Sequence, residues 1–538
     1  MLRSGILPPS PVEPSEGAAP PSGVDPLGHA AEPPLGDGKQ SEAPAATPTG
    51  LRALQVIAVA AAIAHLAARV SFAHTGRFFA CEDDAYRSYL SFLIAQGGDL
   101  IGRFWLPGHL VAMAFVQRLG VPVAWAGIAV GTLAVVGLAV GLADVARSLA
   151  PADLRPAAPW AALLLVAASP LTLVLGHSSL AETLECALLM LGAAGILRRI
   201  RGGSRRMLIG GALALLAATW IRYEAWAVVL MLPGVLYLVQ RRAGCDMRTA
   251  GTDALVSALP ALGPLAWLAC QAIVYKDPFA FIDQIDTMST ALTGEPSSVR
   301  VAIDRAGALL RWAPATLAWS AVAAWALRDR RETRTGALLL VGVATFGIVI
   351  EVASGREHGV FTARLAYGIE IALWPLAALG IASVVMRRPA IAAALAIATA
   401  AVLVVGVRRP PEIMDRASPT AGLLLRRGGL EATLGPGVLM VERVPERPPF
   451  GWAALGVLWS RWDRTVWATR RVNRWELVEP LDVRGRATVK PDALPTWMDR
   501  HRVTAAWILT PNSMAQIAEA WPKAKVVRIG AGSLVVKE

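Results

Sequence analysis

Charged residues are scarce in this sequence. Asp, Glu, Lys and Arg make up 17% of the 538 residues, and hydrophobic residues make up 55%. An average soluble domain carries about 25% charged residues. Apolar runs of roughly 20 residues, the length that crosses a bilayer, recur from Leu51 to Val407. The shortage of charge argues against a soluble globular protein and predicts a membrane protein with many spans.

Cysteine is also scarce, and two common sequence features are missing. The four cysteines are scattered without the spacing of a metal site or a disulfide framework: Cys81, Cys186, Cys245 and Cys270. We find no internal repeat and no glycine-rich loop of the kind that binds a nucleotide. Residues 1–50 are rich in Pro, Ala and Gly and have no basic start or apolar core, so they predict a disordered cytoplasmic tail rather than a signal peptide.

The arrangement of arginines predicts the topology. The net charge of +12 comes largely from arginine clusters between apolar runs, at 198–206, 241–248, 328–334 and 387–388. By the positive-inside rule these are cytoplasmic turns, so the excess charge reflects orientation in the membrane rather than binding of nucleic acid. With the N-terminus inside, about eleven spans result: 52–73, 122–147, 159–176, 180–198, 207–221, 224–240, 250–275, 307–327, 335–353, 363–386 and 389–407.

The sequence therefore predicts an all-α membrane domain over 51–407, followed by a small soluble α/β domain over 408–538 outside the cytoplasm. Strand-like runs in the second region alternate with helix-like runs. The strand-like runs are Gly437–Val444, Thr504–Leu509 and Lys525–Val536, and the helix-like runs are Gly451–Trp459 and Ser513–Trp521. We expect an integral protein of the inner (cytoplasmic) membrane.

Three consecutive carboxylates, Glu82, Asp83 and Asp84, follow the first span on the predicted outer side. The apolar residues after Asp84 recur with helical spacing, which predicts a short helix along the membrane interface. A second short helix is predicted from Pro107 to about Leu119. Asp83 or Asp84 could serve only as the N-cap of the first helix, but one cap does not explain three adjacent carboxylates, which favours a functional site.

The next outward turn carries His177, Ser179, Glu182 and Glu185. Ser179 and Glu182 have the S-x-x-E spacing of a capping box, which would explain both residues without a function. Glu185 lies one turn further into an apolar helix and has no such explanation. The sequence leaves this turn open between a helix cap and the wall of a site.

A short hairpin carries the next polar residues. Only 34 residues separate Arg206 from Arg241, whereas two spans need about 40. The tip, Thr219–Trp226, should therefore lie below the outer membrane boundary, where Arg222 and Glu224 must face a wet cavity or each other. Arg222 either pairs with Glu224 or binds an anionic group such as a phosphate, which guanidinium binds in a bidentate way.

Two further segments carry arginine. The last predicted outward loop contains Arg356, His358 and Arg364, each a candidate site residue or an ordinary loop residue. Tryptophan and arginine alternate in the segment 459–475. This mixture can bind nucleic acid, but on the predicted outer side we expect contact with anionic lipid headgroups or with the membrane domain.

Taken in order, these motifs resemble the GT-C superfamily of membrane glycosyltransferases, which use polyprenyl-phosphate sugars and include protein O-mannosyltransferases and aminoarabinose transferases. The resemblance covers about 52–407 and depends on E-D-D-A-Y at 82–86, W-L-P at 105–107, the S-x-x-E turn and R-Y-E at 222–224. E-D-D-A-Y is the most specific of these motifs. Asp84 stands where Glu is common in the family, which leaves the subfamily open.

The resemblance implies that Asp83 is the catalytic carboxylate, with Asp84 beside it in the catalytic set. Asp83 would take a proton from the acceptor hydroxyl, while Arg222 and Arg364 hold the donor phosphate. Asp84 or Glu182 would position the acceptor or a divalent cation. Whether a metal takes part stays open, because some relatives use one and others do not. The other residues expected to line the substrate site are Glu82, His177, Tyr223, Glu224 and His358.

The implied partners are a polyprenyl-phosphate sugar arriving laterally from the bilayer, and a glycan, lipid or protein acceptor. Three alternatives remain. A ligase or polymerase of lipid-linked glycans would depend on Arg356 and His358 instead of the first-loop carboxylates. A secondary transporter would place its charges near the bilayer midplane and show repeated halves. A non-catalytic assembly protein would need none of the carboxylates.

Overall fold

The computed structural model describes most of the predicted membrane region and parts of the C-terminal region. The described residues are 48–74, 82–95, 97, 105–282, 307, 310, 313–328, 362–408, 438–443, 464–471, 474–477, 496, 498–499, 502–508, 511–529 and 532–538. The predicted span at 335–353 and the helix-like run at 451–459 lie outside them.

The membrane region is helical throughout its described part. Its first helices are α1 Pro48–His74, α2 Glu82–Ala95, α3 Gly108–Arg118, α4 Val123–Leu149, α5 Ala158–Ala168, α6 Pro170–Leu175 and α7 Glu182–Ile200. Further along are α8 Arg205–Thr219, α9 Glu224–Arg242, α10 Met247–Ser257, the 3₁₀ turn Leu259–Ala261, α11 Leu262–Tyr275, α12 Pro314–Ala326, α13 Thr362–Arg387 and α14 Ile391–Arg408. The two short helices predicted after the first span are confirmed as α2 and α3.

The chain is an integral membrane protein. Within the described ranges, five helical stretches are long and apolar enough to cross a bilayer: Thr49–Ala73, Trp125–Leu149, Glu224–Arg242, Met247–Tyr275 and Tyr367–Arg387. The count of eleven spans stays a prediction. One predicted span, 159–176, is instead two helices, α5 and α6. Pro170 has no N–H to continue the first helix, and the Ser169 side chain accepts a hydrogen bond from Thr172 N at 3.2 Å to begin the second.

The main hydrophobic core lies where α1, α4, α5, α7 and α13 meet, with Leu138 and Leu142 of α4 fully buried. α7 packs between α4 and α8. A Cβ atom at Gly195 of α7 would stand 2.9 Å from Gly211 Cα of α8, so only glycine permits this approach. Small residues of this kind let membrane helices pack backbone against backbone.

A buried carboxylate joins four helices at the end of the bundle predicted to be cytoplasmic. Asp253 of α10 accepts hydrogen bonds from Arg199 of α7 at 2.6 Å and Gln240 of α9 at 2.8 Å, and pairs with Arg205 of α8 at 3.3 Å. Its side chain is completely buried. Two of the arginines that predicted the topology therefore also link helices.

The C-terminal region contains a mixed sheet. Its strands are β1 Val438–Arg443, β2 Arg464–Arg471, β3 Arg474–Leu477, β4 Val503–Ile508, β5 Lys525–Ile529 and β6 Gly532–Val536, with helix α15 Pro511–Ala520 between β4 and β5. The strand order is β3-β2-β1-β4-β6-β5, and β1 is parallel to both β2 and β4.

The described strands and helix agree with the predicted α/β character of this region. The single run predicted at Lys525–Val536 is an antiparallel pair, β5 and β6. The Trp/Arg segment 459–475 contributes β2 and the beginning of β3. The antiparallel pairing of these two strands was not predicted from the sequence. The boundary between the two domains stays a prediction.

Candidate functional site

The first turn of α2 is attached to the turn before α7. Asp84 is fully buried, and its Oδ1 accepts a hydrogen bond from Ser179 N at 2.5 Å. One turn later, Ser88 Oγ lies 2.6 Å from Ser179 Oγ. The N-cap interpretation of Asp83 or Asp84 is wrong, because α2 begins at Glu82 and both residues lie inside its first turn. The side chains of Glu82 and Asp83 lie outside the described part.

We call residues 176–181 the site turn. A Cβ atom at Gly127 of α4 would overlap Ser179 Oγ, and one at Gly131 would overlap the carbonyl oxygen of Gly176. The site turn therefore rests directly on the backbone of α4. In this position Ser179 N faces Asp84. The site turn therefore connects α4 and the start of α7 with α2.

The capping-box interpretation of Ser179 and Glu182 is wrong. α7 begins at Glu182, and the preceding residue, Ala181, has no side-chain cap. Ser179 instead contacts α2, while Glu182 pairs with Arg222 of the hairpin tip. The two residues whose spacing suggested a local cap instead contact distant parts of the chain, Ser179 with Ser88 and Glu182 with Arg222.

Arg222 lies among three carboxylates. Its Nη1 donates to Glu182 Oε1 at 2.5 Å, its Nε lies 3.3 Å from Glu185 Oε2, and its Nη2 donates to Glu224. The Arg222 side chain is 14% exposed, that of Glu182 4%, that of Glu185 7% and that of Glu224 31%. The predicted pairing of Arg222 with Glu224 is therefore present, and the two glutamates of α7 extend it.

The four described groups of this cluster differ in sign. One guanidinium faces three carboxylates, which gives these four groups a net charge of −2 when all are ionised. Burial lowers the pKa of Arg222, but the charges of Glu224, Glu182 and Glu185 raise it further, so that the pKa lies well above its ordinary value. Arg222 thus stays protonated, and its charge is directed at the acidic groups.

Aromatic side chains adjoin the hairpin tip. Tyr223 stacks on Phe281 with ring centroids 5.0 Å apart, and Trp226 packs edge-on against Tyr223 at 5.0 Å. Burial raises the pKa of the Tyr223 hydroxyl far above its ordinary value. The phenol is therefore a neutral neighbour of the charged cluster.

The W-L-P segment before α3 reaches the same tip. Gly108 N donates to the carbonyl oxygen of Trp220 at 2.8 Å, and a Cβ atom at Gly108 would stand 2.6 Å from that oxygen. Trp105 lies under the guanidinium of Arg87 of α2, with 4.7 Å from Arg87 Cζ to the ring centroid. The residues between α2 and α3 therefore contact the hairpin tip through Gly108 and contact α2 through Trp105.

The structure brings together most of the predicted residues whose side chains it describes. Asp84 contacts the site turn at Ser179, Glu182 directly follows the turn, and Arg222 and Glu224 pair with each other beside Glu182. His177 is buried in the turn with its ring 5.6 Å from that of Phe72, edge-on. Arg364 lies in the first turn of α13, but its side chain, like the whole of His358, is outside the described part.

Among the described side chains, no group of three or more His, Cys, Asp and Glu residues is arranged to hold a metal ion. Glu182, Glu185 and Glu224 surround a guanidinium instead.

Comparison with solved structures identifies the fold. ArnT from Cupriavidus metallidurans, in its apo state, matches this chain with a TM-score of 0.51 over 84% of this chain and 92% of the ArnT chain. The chain has the fold of ArnT. The sequence identity is 13%, so the likeness concerns the fold and no particular substrate. No protein-family model and no curated protein matches the sequence.

ArnT is an aminoarabinose transferase of the GT-C superfamily. The fold expected from the sequence motifs is thus supported by a comparison of coordinates at low sequence identity. Donor, acceptor and the roles of individual residues are not given by that comparison.

Proposed function

We propose that the protein is a membrane glycosyltransferase that moves a sugar from a polyprenyl-phosphate donor to an acceptor hydroxyl outside the cytoplasm. The observation that carries the proposal is the convergence of three separate motifs. The first turn of α2, the site turn with the start of α7, and the hairpin tip are connected through Asp84, Glu182 and Arg222. The ArnT-like fold supports the same reaction class.

The proposed reaction needs a base more than it needs an acid. The bond between the anomeric carbon and the donor phosphate oxygen breaks, and the polyprenyl phosphate leaves as a stable anion. The acceptor oxygen forms the new glycosidic bond, and its proton passes to the carboxylate of Asp83. A positioned general base of this kind typically contributes about 10²–10⁴-fold to the rate.

Asp84 cannot share this task in the observed arrangement. It is buried, and its Oδ1 already accepts a hydrogen bond from Ser179 N. We therefore assign the base to Asp83 and give Asp84 the task of anchoring the turn on which Asp83 lies.

Arg222 interacts with carboxylates before any donor binds. For Arg222 to contact the donor phosphate as well, one acidic partner must move, and Glu224 has the most exposed side chain of the three. We propose that the phosphate replaces Glu224 at the Arg222 fork, while Glu182 and Glu185 keep the guanidinium in place. Arg364 of α13 is a second candidate for the phosphate.

Substitution of Asp83 tests the proposed function. The assay measures transfer of radiolabelled hexose or pentose from a panel of synthetic polyprenyl-phosphate sugars by purified protein in nanodiscs, with an envelope fraction from cells lacking the gene as acceptor. We expect Asp83→Asn to lower the rate by roughly a hundredfold or more, because Asn cannot accept the proton. Melting temperature should stay within about 2 °C of wild type, because Asn has nearly the same size and shape as Asp.

Two comparison variants complete the design. Asp84→Asn should lower the rate less than Asp83→Asn but also lower the melting temperature, because a charge-assisted hydrogen bond to Ser179 N is weakened. Asp144→Asn removes a carboxylate that pairs with Arg198 near the end of α4 and should leave transfer unchanged. Full turnover by Asp83→Asn would show that this carboxylate is not the base.

A further inference from the structure

An arginine interrupts the apolar sequence of α1. Arg69 is 5% exposed and lies in one of the helices long and apolar enough to span the bilayer. Arginine inside a membrane span is costly and usually indicates a functional or tightly paired position. The reaction proposed above does not use Arg69, so its place in α1 needs an explanation.

Arg69 contacts the residue that begins the site turn. Its Nη2 donates to the carbonyl oxygen of Gly176 at 2.6 Å and to Thr132 Oγ1 of α4 at 2.7 Å. Gly176 is the C-cap of the short helix α6, and its N–H donates to the carbonyl oxygen of Thr172 at 2.9 Å. A cation at a helix C-terminus is also favourable for the helix dipole. Arg69 thus ties the end of α6 to both α1 and α4.

The contacts of the site turn continue from Gly176 to α2. Three residues after Gly176, Ser179 N donates to Asp84, and Asp83 is the neighbour of Asp84 in the first turn of α2. On the other side, a Cβ atom at Gly127 would overlap Ser179 Oγ, so the turn has little room to shift on α4. A change at Arg69 should therefore reach the backbone that carries Asp83.

We propose that Arg69 is a positioning residue, which fixes the site turn so that Ser179 holds the first turn of α2 in its reactive place. The proposal rests on the transferase function given above. Arg69 lies on a different helix from the proposed base and acts on it through Gly176, Ser179 and Asp84. Misplacement of a reacting group by about 1 Å can cost on the order of 10²-fold in rate.

His65 provides a matched control on the same helix. It lies one turn before Arg69, is 5% exposed, and donates from Nδ1 to the carbonyl oxygen of Ala167 at 3.0 Å. Like Arg69, it therefore satisfies a carbonyl group at the end of a short helix. Its partner belongs to α5, however, and not to the site turn.

The test compares Arg69→Met, Arg69→Lys, Thr132→Val and His65→Leu in nanodiscs. Hydrogen–deuterium exchange of peptides covering 82–95 and 176–185 is measured for each full-length variant, with or without transfer activity. We expect faster exchange of both peptides in Arg69→Met, a smaller increase in Thr132→Val, and wild-type exchange there in His65→Leu. Thr132→Val removes only one acceptor of Arg69, so it provides the test if Arg69→Met does not fold.

Kinetics supply a readout that general destabilisation would not produce. With the polyprenyl-phosphate sugar that wild type uses, Arg69→Met should lower kcat by about tenfold or more while KM for the donor changes by less than about twofold. Arg69→Lys should recover part of kcat, because its ammonium keeps the charge but is shorter and lacks the planar fork.

Two results would overturn the positioning role. One is exchange of both peptides at the wild-type rate in Arg69→Met and Thr132→Val. The other is equal loss of kcat in Arg69→Met and His65→Leu. If wild type transfers no sugar from any donor, the proposed function fails, while the exchange data still decide whether Arg69 fixes the turn.

Discussion

Removal of the Arg222 charge should destabilise the protein strongly. Arg222→Met replaces the guanidinium with an unbranched apolar side chain. Glu182, Glu185 and Glu224 then lose their ion pairs with Arg222. Glu182 and Glu185 are 4% and 7% exposed, so water cannot replace the lost partner. Breaking a buried ion pair from one side costs about 3–5 kcal/mol. The unfolding entropy of a chain this long is about 1 kcal/mol per kelvin, so we expect a fall in melting temperature of roughly 3–5 °C.

The measurement is thermal unfolding of purified protein followed by intrinsic tryptophan fluorescence at one fixed scan rate, since unfolding of membrane proteins is often irreversible. Arg205→Met is the matched control, because Arg205 is 49% exposed and its partner Asp253 keeps Arg199. Because Arg205 is half exposed and the buried Asp253 keeps a second arginine, the loss of this pair should cost only about 1 kcal/mol or less. Adding Glu182→Gln to Arg222→Met should restore part of the loss. Equal melting temperatures for the two arginine variants would refute the view that buried carboxylates depend on Arg222.

Three further predictions concern packing, helix linkage and topology. Gly108→Ala should lower the free energy of unfolding by about 1–3 kcal/mol, because the new Cβ would stand 2.6 Å from a backbone oxygen of the hairpin tip. The control is Gly210→Ala, which has open space around it and should leave the melting temperature unchanged or raise it slightly. Asp253→Asn should lower the melting temperature, with an expected cost of about 1–3 kcal/mol, because two arginines lose a buried anionic partner. A reporter active only outside the cytoplasm should be active when fused after Val407 and silent when fused near Gly203, and the reverse pattern would remove the proposed site from the outer face.

The helices could be predicted from the sequence because their signals are local. Apolar runs of spanning length gave α1, α4, α7 and α13 to within a few residues. The short helix α2 followed from helical spacing of apolar residues after Asp84. These signals depend on side chains close in sequence, which the bilayer and the helical repeat constrain directly.

The partners of the polar residues were harder to predict. The S-x-x-E spacing of Ser179 and Glu182 predicts a capping box, but both side chains contact distant segments instead. Three adjacent carboxylates favoured a functional site over a helix cap, but the hydrogen bond from Ser179 N to the buried Asp84 was not predicted. Local spacing cannot distinguish a cap from a tertiary contact, since both use the same residue types.

Arg69 was not predicted as a site residue, although the sequence contains a feature that indicates it. The residue is a lone arginine inside the first apolar run, where an ionisable side chain should have suggested a buried partner. Its actual acceptors, Gly176 and Thr132, lie far away in sequence and include a backbone carbonyl group that no sequence motif marks. The role of Gly127 and Gly131 in α4 could not be predicted from the sequence either, because it depends on which backbone packs against them.

In the proposed mechanism, one acidic residue of the site takes part in the chemistry and the others support it. Asp84 binds a backbone N–H, and Glu182 and Glu185 bind Arg222, so each has a partner before any substrate arrives. A carboxylate engaged in this way must give up a hydrogen bond or ion pair in the protein interior before it can accept a proton, at a cost of about 1–3 kcal/mol or more. These contacts argue against Asp84, Glu182 and Glu185 as the base, and the proposed mechanism keeps Asp83 in that role. A larger rate loss in Asp84→Asn than in Asp83→Asn would reverse that assignment and make Asp84 leave Ser179 during the reaction.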